Sequence, residues 1–286
     1  MKKVAAFIAF AFFFSAWSAS AVFAHGGEIV VAPKTVVQGE PALVTVEGID
    51  IRDVRKLVFD GTSVPVFLYN GKPTAFIGID LAARTGKHTL RLATLDRDIV
   101  EGTVVVTVRR KVTAPLGIPA KLGGNTKQSQ QNLVAHLAKE NGVIAKVKAS
   151  AAPLWHIPFA FPLKDRVVTD AYGYSRATGS YSIPHKGADF RAATGTPVAA
   201  INDGVVRLAR EFVVYGKTVA IDHGAGVLSF SMHLSSISVK GGQKVKQGEI
   251  IGLSGESGYA LSPHLHLSIR VSGVSIDPMK FFALFQ

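Results

Sequence analysis

The chain has 286 residues, of which 48% are hydrophobic and 18% charged, with a formal charge of +12 and no cysteine. That length sets roughly two domains as a prior, and this balance of apolar to charged residues excludes a disordered polymer. The absence of cysteine excludes a disulfide framework, a thiolate metal site and a cysteine nucleophile, while the basic excess favours anionic partners such as wall polymers or lipid head groups.

The chain opens on Lys2 and Lys3, an apolar run from Val4 to Phe14, and small residues up to Ala24. This is the layout of a secretory signal peptide, so residues 1–24 are read as a leader, cleaved after Ala24 or after Ala21. The rival is an uncleaved anchor, because Val4 to Ala24 reaches the roughly 20 residues that span a bilayer; serines at 15, 18 and 20 weaken it. Export to the periplasm or cell envelope follows, with membrane contact only through this segment if it is retained. The basic residues are scattered, Arg109, Arg110 and Lys111 forming the one run. Nucleic acid is therefore not an expected partner, and nothing in the sequence speaks to oligomeric state.

Residues 25–112 read as short strands and turns. Leu43 to Val46, Leu57 to Phe59, Thr89 to Ala93 and Val104 to Val108 are β-rich, with turns expected at Gly86 and Gly102. Val66 to Tyr69 and Thr74 to Ile79 flank Asn70-Gly71, a dipeptide suited to the positive φ values of a tight hairpin. Roughly seven strands in this space predict an immunoglobulin-like sandwich.

Residues 113–152 read as a linker, marked by Pro115, Gly117, Pro119 and Gly123-Gly124. Within it, Thr126 to Glu140 predicts a helix capped by Asn125 or Thr126, with Leu133, Val134 and Leu137 on one face and Asn141-Gly142 as the stop. From 153 to 286 strands and turns return, at Val198 to Ala200, Val205 to Leu208, Thr218 to Ile221, Val227 to Phe230, Ile250 to Leu253 and His264 to Val271. A compact, mostly antiparallel β domain is expected, and all-β as the class of the whole chain.

Six of the nine histidines lie beyond residue 155. In Pro-His-Leu-His-Leu-Ser-Ile, strand alternation puts His264, His266 and Ser268 on one face and Leu265, Leu267 and Ile269 on the other. In His185-Lys-Gly-Ala-Asp189, a His and an Asp four apart, with a glycine to let the backbone bend, can reach one ion. Two nitrogens and a carboxylate without thiolate suit a catalytic zinc site, which takes three protein ligands and leaves a fourth position to water. His25, His88, His136 and His156 have no partner in the sequence and read as ordinary surface or core residues. There is no Gly-x-Ser-x-Gly and no Ser-x-x-Lys, as serine hydrolases would need, and no His-Glu-x-x-His helix.

At these residues the sequence resembles the lysostaphin-like (LytM-type) zinc metallopeptidases of peptidoglycan. The match runs over about residues 160–280: His185-Lys-Gly-Ala-Asp189-Phe, Asp203-Gly-Val-Val, Tyr215-Gly, Ile221-Asp-His-Gly-Ala-Gly, Met232-His-Leu-Ser, Val239 to Gly248, Ile251-Gly-Leu-Ser-Gly and Ser262-Pro-His-Leu-His follow in family order. The resemblance implies a zinc endopeptidase with one Zn2+ per chain held by His185, Asp189 and His266, and with His233 and His264 as the catalytic pair. It implies peptidoglycan peptide stems as substrate, and an exported chain without evident wall-anchoring repeats leans towards a D,D-endopeptidase. His223 falls on a family His-Gly position that is not a ligand, and is expected on a turn or rim. Phe230 stands where members often have tyrosine, and Leu267-Ser268 replaces the common Phe-Glu. Some members have lost zinc ligands and act as binding proteins that activate wall amidases; here all three ligand positions and both auxiliary histidines are filled.

Overall fold

The computed structural model describes residues 26–286; the leader expected over residues 1–24, and His25, lie outside the described residues. Nine strands come first: β1 (Glu28–Ala32), β2 (Thr35–Val37), β3 (Pro41–Glu47), β4 (Val54–Phe59), β5 (Thr62–Val64), β6 (Phe67–Tyr69), β7 (Lys72–Gly78), β8 (Gly86–Thr94) and β9 (Ile99–Thr107). They form two sheets, β1-β3-β7-β6 and β2-β9-β8-β4-β5. This is an immunoglobulin-like sandwich, with nine strands where about seven were expected. Alternation drives it: Ala42, Val44 and Val46 from one sheet face Leu57, Leu90, Leu92, Val104 and Val106 from the other, each at most 1% exposed. Asn70 and Gly71 take φ of 50° and 75°, closing the β6–β7 hairpin as the dipeptide predicts.

Gly102 corrects the turn reading. It lies inside β9, where a Cβ would stand 2.7 Å from the Ile29 side chain. It is a site of close sheet approach, and the β8–β9 connection turns instead at Arg97, with φ of 71°.

After the sandwich come β10 (Thr113–Pro115) and α1 (Lys127–Ile144). Thr126 is the N-cap, its hydroxyl accepting from the Ser129 N–H. The helix runs a turn past the expected stop at Asn141-Gly142. Packing explains the difference: Ile144, 1% exposed, seats against Leu228, Phe230 and Met232, and the Tyr215 hydroxyl donates to Asn141 Oδ1. Tertiary contact thus outweighs the weak helix propensity of Asn and Gly.

The remaining strands are β11 (Val168–Asp170), β12 (Ser175–Thr178), β13 (Tyr181–Pro184), β14 (Ala188–Arg191), β15 (Pro197–Ala199), β16 (Gly204–Glu211) and β17 (Lys217–Gly224). They continue with β18 (Val227–Leu234), β19 (Ser236–Ile237), β20 (Lys244–Val245), β21 (Ile250–Leu253), β22 (His264–Val271) and β23 (Val274–Ile276), and end in α2 (Pro278–Ala283). The main sheet has the order β11-β14-β22-β18-β17-β16-β20 with β23 beside β22, and every pair in it is antiparallel. β10 pairs in parallel with β12, so the segment after the sandwich adds a strand to the C-terminal structure.

The two halves share an aromatic core. Phe67 and Phe76 turn away from the sandwich interior and pack with Trp155, at ring-centroid distances of 5.6 and 6.0 Å. Phe159 and Phe281 close the cluster, 4.9 Å apart. No helix among the described residues is long and apolar enough to cross a membrane.

Candidate functional site

Three adjacent strands build the site. β14 runs antiparallel to β22 with Asp189 opposite His266, and β18 flanks the other edge with Met232 opposite His266. On β22, Leu265, Leu267 and Ile269 are fully buried in the core, so His264, His266 and Ser268 project together from the other face. His185 lies just beyond the end of β13, and its ring meets that face from the side.

His185, Asp189 and His266, each less than 10% exposed, converge. His185 Nε2 stands 3.1 Å from Asp189 Oδ1 and 3.1 Å from His266 Nδ1, and His266 Nδ1 stands 2.7 Å from Asp189 Oδ1. His185 Nδ1 donates to the Ala171 carbonyl at 2.9 Å, which leaves a lone pair on Nε2. Lone pairs of two imidazoles and a carboxylate therefore face one point, an arrangement that a cation reconciles. Ligand atoms of a tetrahedral ion with bonds of about 2.0–2.2 Å stand roughly 3.3 Å apart, so the observed spacing fits zinc with small adjustments. Burial would raise the Asp189 carboxyl, but its bonds with His185 and His266 outweigh that and hold it well below the usual carboxylate range. It is thus ready as an anionic ligand.

Gly187 has an ordinary φ and does not serve as the bend expected of it. A Cβ there would stand 2.3 Å from His266 Nε2, so the glycine clears space for the ligand ring.

His233 and His264 stand on the other side of the cluster, their ring centroids 4.9 Å apart. His233 Nδ1 donates to the Ser257 carbonyl at 2.9 Å, and His264 Nδ1 to the Ser262 carbonyl at 2.8 Å. Each therefore keeps Nε2 free, and His264 Nε2 lies 3.8 Å from Asp189 Oδ1. His233 sits at a positive φ of 60°, an uncommon conformation for a residue with a side chain. Burial, reinforced by His264 and His266, depresses its pKa to about 3, so this imidazole is neutral at physiological pH.

His223 is not a rim residue. It is fully buried in β17, bonded to the Asp203 carbonyl at 2.9 Å and to Ser229 Oγ at 2.8 Å, and it does not line the groove. His88 is buried too, and pairs with Asp60.

Sequence reasoning missed two supports. Arg176 Nη2 donates to Asp189 Oδ2 at 3.1 Å and also pairs with Asp170, steadying the ligand carboxylate from behind. These residues lie on β12 and β11, and only the fold brings them to Asp189. The second is α1. Leu133, Leu137, Asn141 and Ile144 line a groove of about 800 Å³ together with the five histidine and aspartate side chains. Glu140 pins this wall: its buried carboxylate accepts from the N–H groups of Val213, Val214 and Tyr215 at 2.7, 3.0 and 3.2 Å.

The site coincides with a family match. Residues 183–278 match the model of peptidase family M23. Over 97 residues the chain is 45% identical to the peptidoglycan DD-endopeptidase ShyA of Vibrio cholerae, covering 34% of this chain and 23% of that protein. Over 96 residues it is 40% identical to the DD-carboxypeptidase/endopeptidase Mpg of Neisseria meningitidis, covering 34% and 22%. The chain thus spans less than a quarter of the length of these curated relatives. Over a longer stretch it is similar to a crystal structure from Pseudomonas aeruginosa provisionally assigned to peptidase M23, with 26% identity, a TM-score of 0.60, and coverage of 87% of this chain and 96% of that one. The stretch that holds His185, Asp189 and His266 is thus a peptidase family M23 domain.

Proposed function

We propose that this protein is an exported zinc endopeptidase that hydrolyses peptide cross-links of peptidoglycan, with D,D specificity. The observation that carries the reading is the convergence of three ligand-type atoms, all within 3.1 Å of one another, beside two imidazoles that keep free Nε2 atoms. The names of the relatives ShyA and Mpg support the substrate class and the D,D preference. The charged, apolar and small-residue layout of residues 1–24 supports export.

In this reading His185 Nε2, Asp189 Oδ1 and His266 Nδ1 hold one zinc ion per chain. Zinc in such a site polarises the scissile carbonyl and acidifies water towards a pKa of about 7. The chain's own residues do the rest. Ala171 and Arg176 hold two of the ligands in orientation. His264 Nε2, free and nearest the ligand carboxylate, takes the proton of the attacking water and passes it to the leaving amine. His233, held neutral by burial with its proton on Nδ1, presents the Nε2 lone pair beside that of His264 and accepts a hydrogen bond from the attacking water, orienting it. α1 walls one side of the groove in which the peptide would lie.

A non-catalytic regulator of a wall amidase would have no use for a filled ligand set with an oriented second histidine pair, and that reading is not favoured. The direct test is digestion of purified peptidoglycan, with products identified by mass. Cross-linked dimers should fall to monomers with a new D-alanyl carboxyl end. Intact dimers after exhaustive digestion by the zinc-loaded protein would refute the proposal.

A further inference from the structure

The polar face of β22 continues beyond the site. After His264, His266 and Ser268 the next residue on that face is Arg270, and it lines the same groove. Ser268 donates its hydroxyl to the Lys186 carbonyl at 2.7 Å and carries no charge. Arg270 has no carboxylate partner among the described residues, and its Nε is buried without a hydrogen bond. Its guanidinium lies over the Phe230 ring, 5.2 Å from the centroid, which fixes its position. Burial depresses its pKa, a cost that a bound anion would relieve. The other arginines of the groove are committed: Arg176 to Asp170 and Asp189, Arg191 to Asp165.

A half-buried guanidinium left unpaired is costly, and a groove that accepts peptides offers the anion it lacks. We infer that Arg270 is a specificity residue that binds a substrate carboxylate, so that the groove selects acidic peptides over their amidated forms. This rests on the proposed peptidase reading of the groove. Four residues of strand separate Arg270 from His266, about 13 Å at about 3.3 Å per residue. The guanidinium leans over Phe230, which pairs with Ser268, so the recognised carboxylate lies about two to four residues' length from the scissile bond. It belongs to a peptide side chain or to a chain end; the guanidinium fork suits either.

The test compares wild type, Arg270→Gln and Arg270→Lys as full chains. The substrates are cross-linked stem peptides with all carboxylates free, with only the chain-terminal ones amidated, or with only the side-chain ones amidated. Steady-state cleavage is measured beside equilibrium binding of the same peptides carrying a non-hydrolysable methylene-amine link. One of the two amidations should raise KM and Kd for wild type roughly 10- to 100-fold, and so identify the carboxylate. Arg270→Gln should weaken the all-acid peptide by the same factor, leave kcat within about threefold, and become indifferent to that amidation. Arg270→Lys should fall between them. Wild-type KM and Kd for Arg270→Gln on the acidic peptide would overturn the inference, and so would equal losses on acidic and amidated peptides. Arg270-dependent binding without any cleavage by wild type would sink the hydrolytic reading and leave this one standing.

Discussion

Gly187→Ala perturbs the proposed metal site without replacing a ligand. The added Cβ would stand 2.3 Å from His266 Nε2, 2.6 Å from its Cε1 and 2.6 Å from the Leu267 carbonyl oxygen. Ordinary contacts of a Cβ begin at 3.4 Å, so the neighbours must retreat by about 1 Å. The Leu267 carbonyl belongs to β22, which β14 and β18 hold on both sides. The His266 ring yields more easily, and its Nδ1 then leaves its place 2.7 Å from Asp189 Oδ1. Overpacking of this kind costs about 1–3 kcal/mol of stability. A displaced ligand should lower zinc affinity roughly 10- to 100-fold, and a misplacement of about 1 Å should lower turnover about 100-fold. Competition against a chelating dye measures the first, and cleavage of a soluble cross-linked peptide the second. Gly241→Ala is the control, since open space surrounds its Cβ and its φ is ordinary. Wild-type zinc affinity and turnover in Gly187→Ala would refute the reasoning.

Two further outcomes follow from the same geometry. Glu140→Ala strands three backbone N–H groups that now share its buried carboxylate, and should cost on the order of 3 kcal/mol in urea unfolding; it should also raise KM more than it lowers kcat, because α1 walls the groove, and a loss under about 0.5 kcal/mol would contradict the role. His223 titrates near 6.5 when free, and burial depresses it to about 4 in the fold. Below pH 6.5 the unfolded chain gains a proton that the folded chain refuses, so this contribution is complete above that pH and is lost as pH falls towards 4. The loss should approach about 3 kcal/mol, and His223→Gln should flatten the fall in unfolding midpoint between pH 7.5 and 4.5; an unchanged slope would contradict it.

Much of the site was legible in the sequence because the signals are local. Period-two alternation placed His264, His266 and Ser268 on one face, and β22 has the expected bounds. What escaped is what only tertiary structure supplies. Gly102 looks like a turn glycine until Ile29 is seen against it. Asn141-Gly142 looks like a helix stop until Ile144 finds Phe230 and Met232. Arg176 sits 13 residues from Asp189 on another strand, with no spacing rule to link them. His223, followed by a glycine, reads as a turn or rim residue, yet the Asp203 carbonyl and Ser229 Oγ satisfy both its nitrogens in the interior.

The central claim is that His185, Asp189 and His266 hold zinc while His233 and His264 act on the substrate. The most direct measurement is zinc per chain and peptidoglycan turnover, taken on the same preparations of wild type, His266→Ala and His264→Ala. Wild type should carry about one zinc. His266→Ala should lose both metal and activity, while His264→Ala should keep the metal and lose about 10²–10⁴-fold in turnover. Release of zinc by His264→Ala with retention by His266→Ala would reverse the two roles, and full activity in both variants would contradict the site itself.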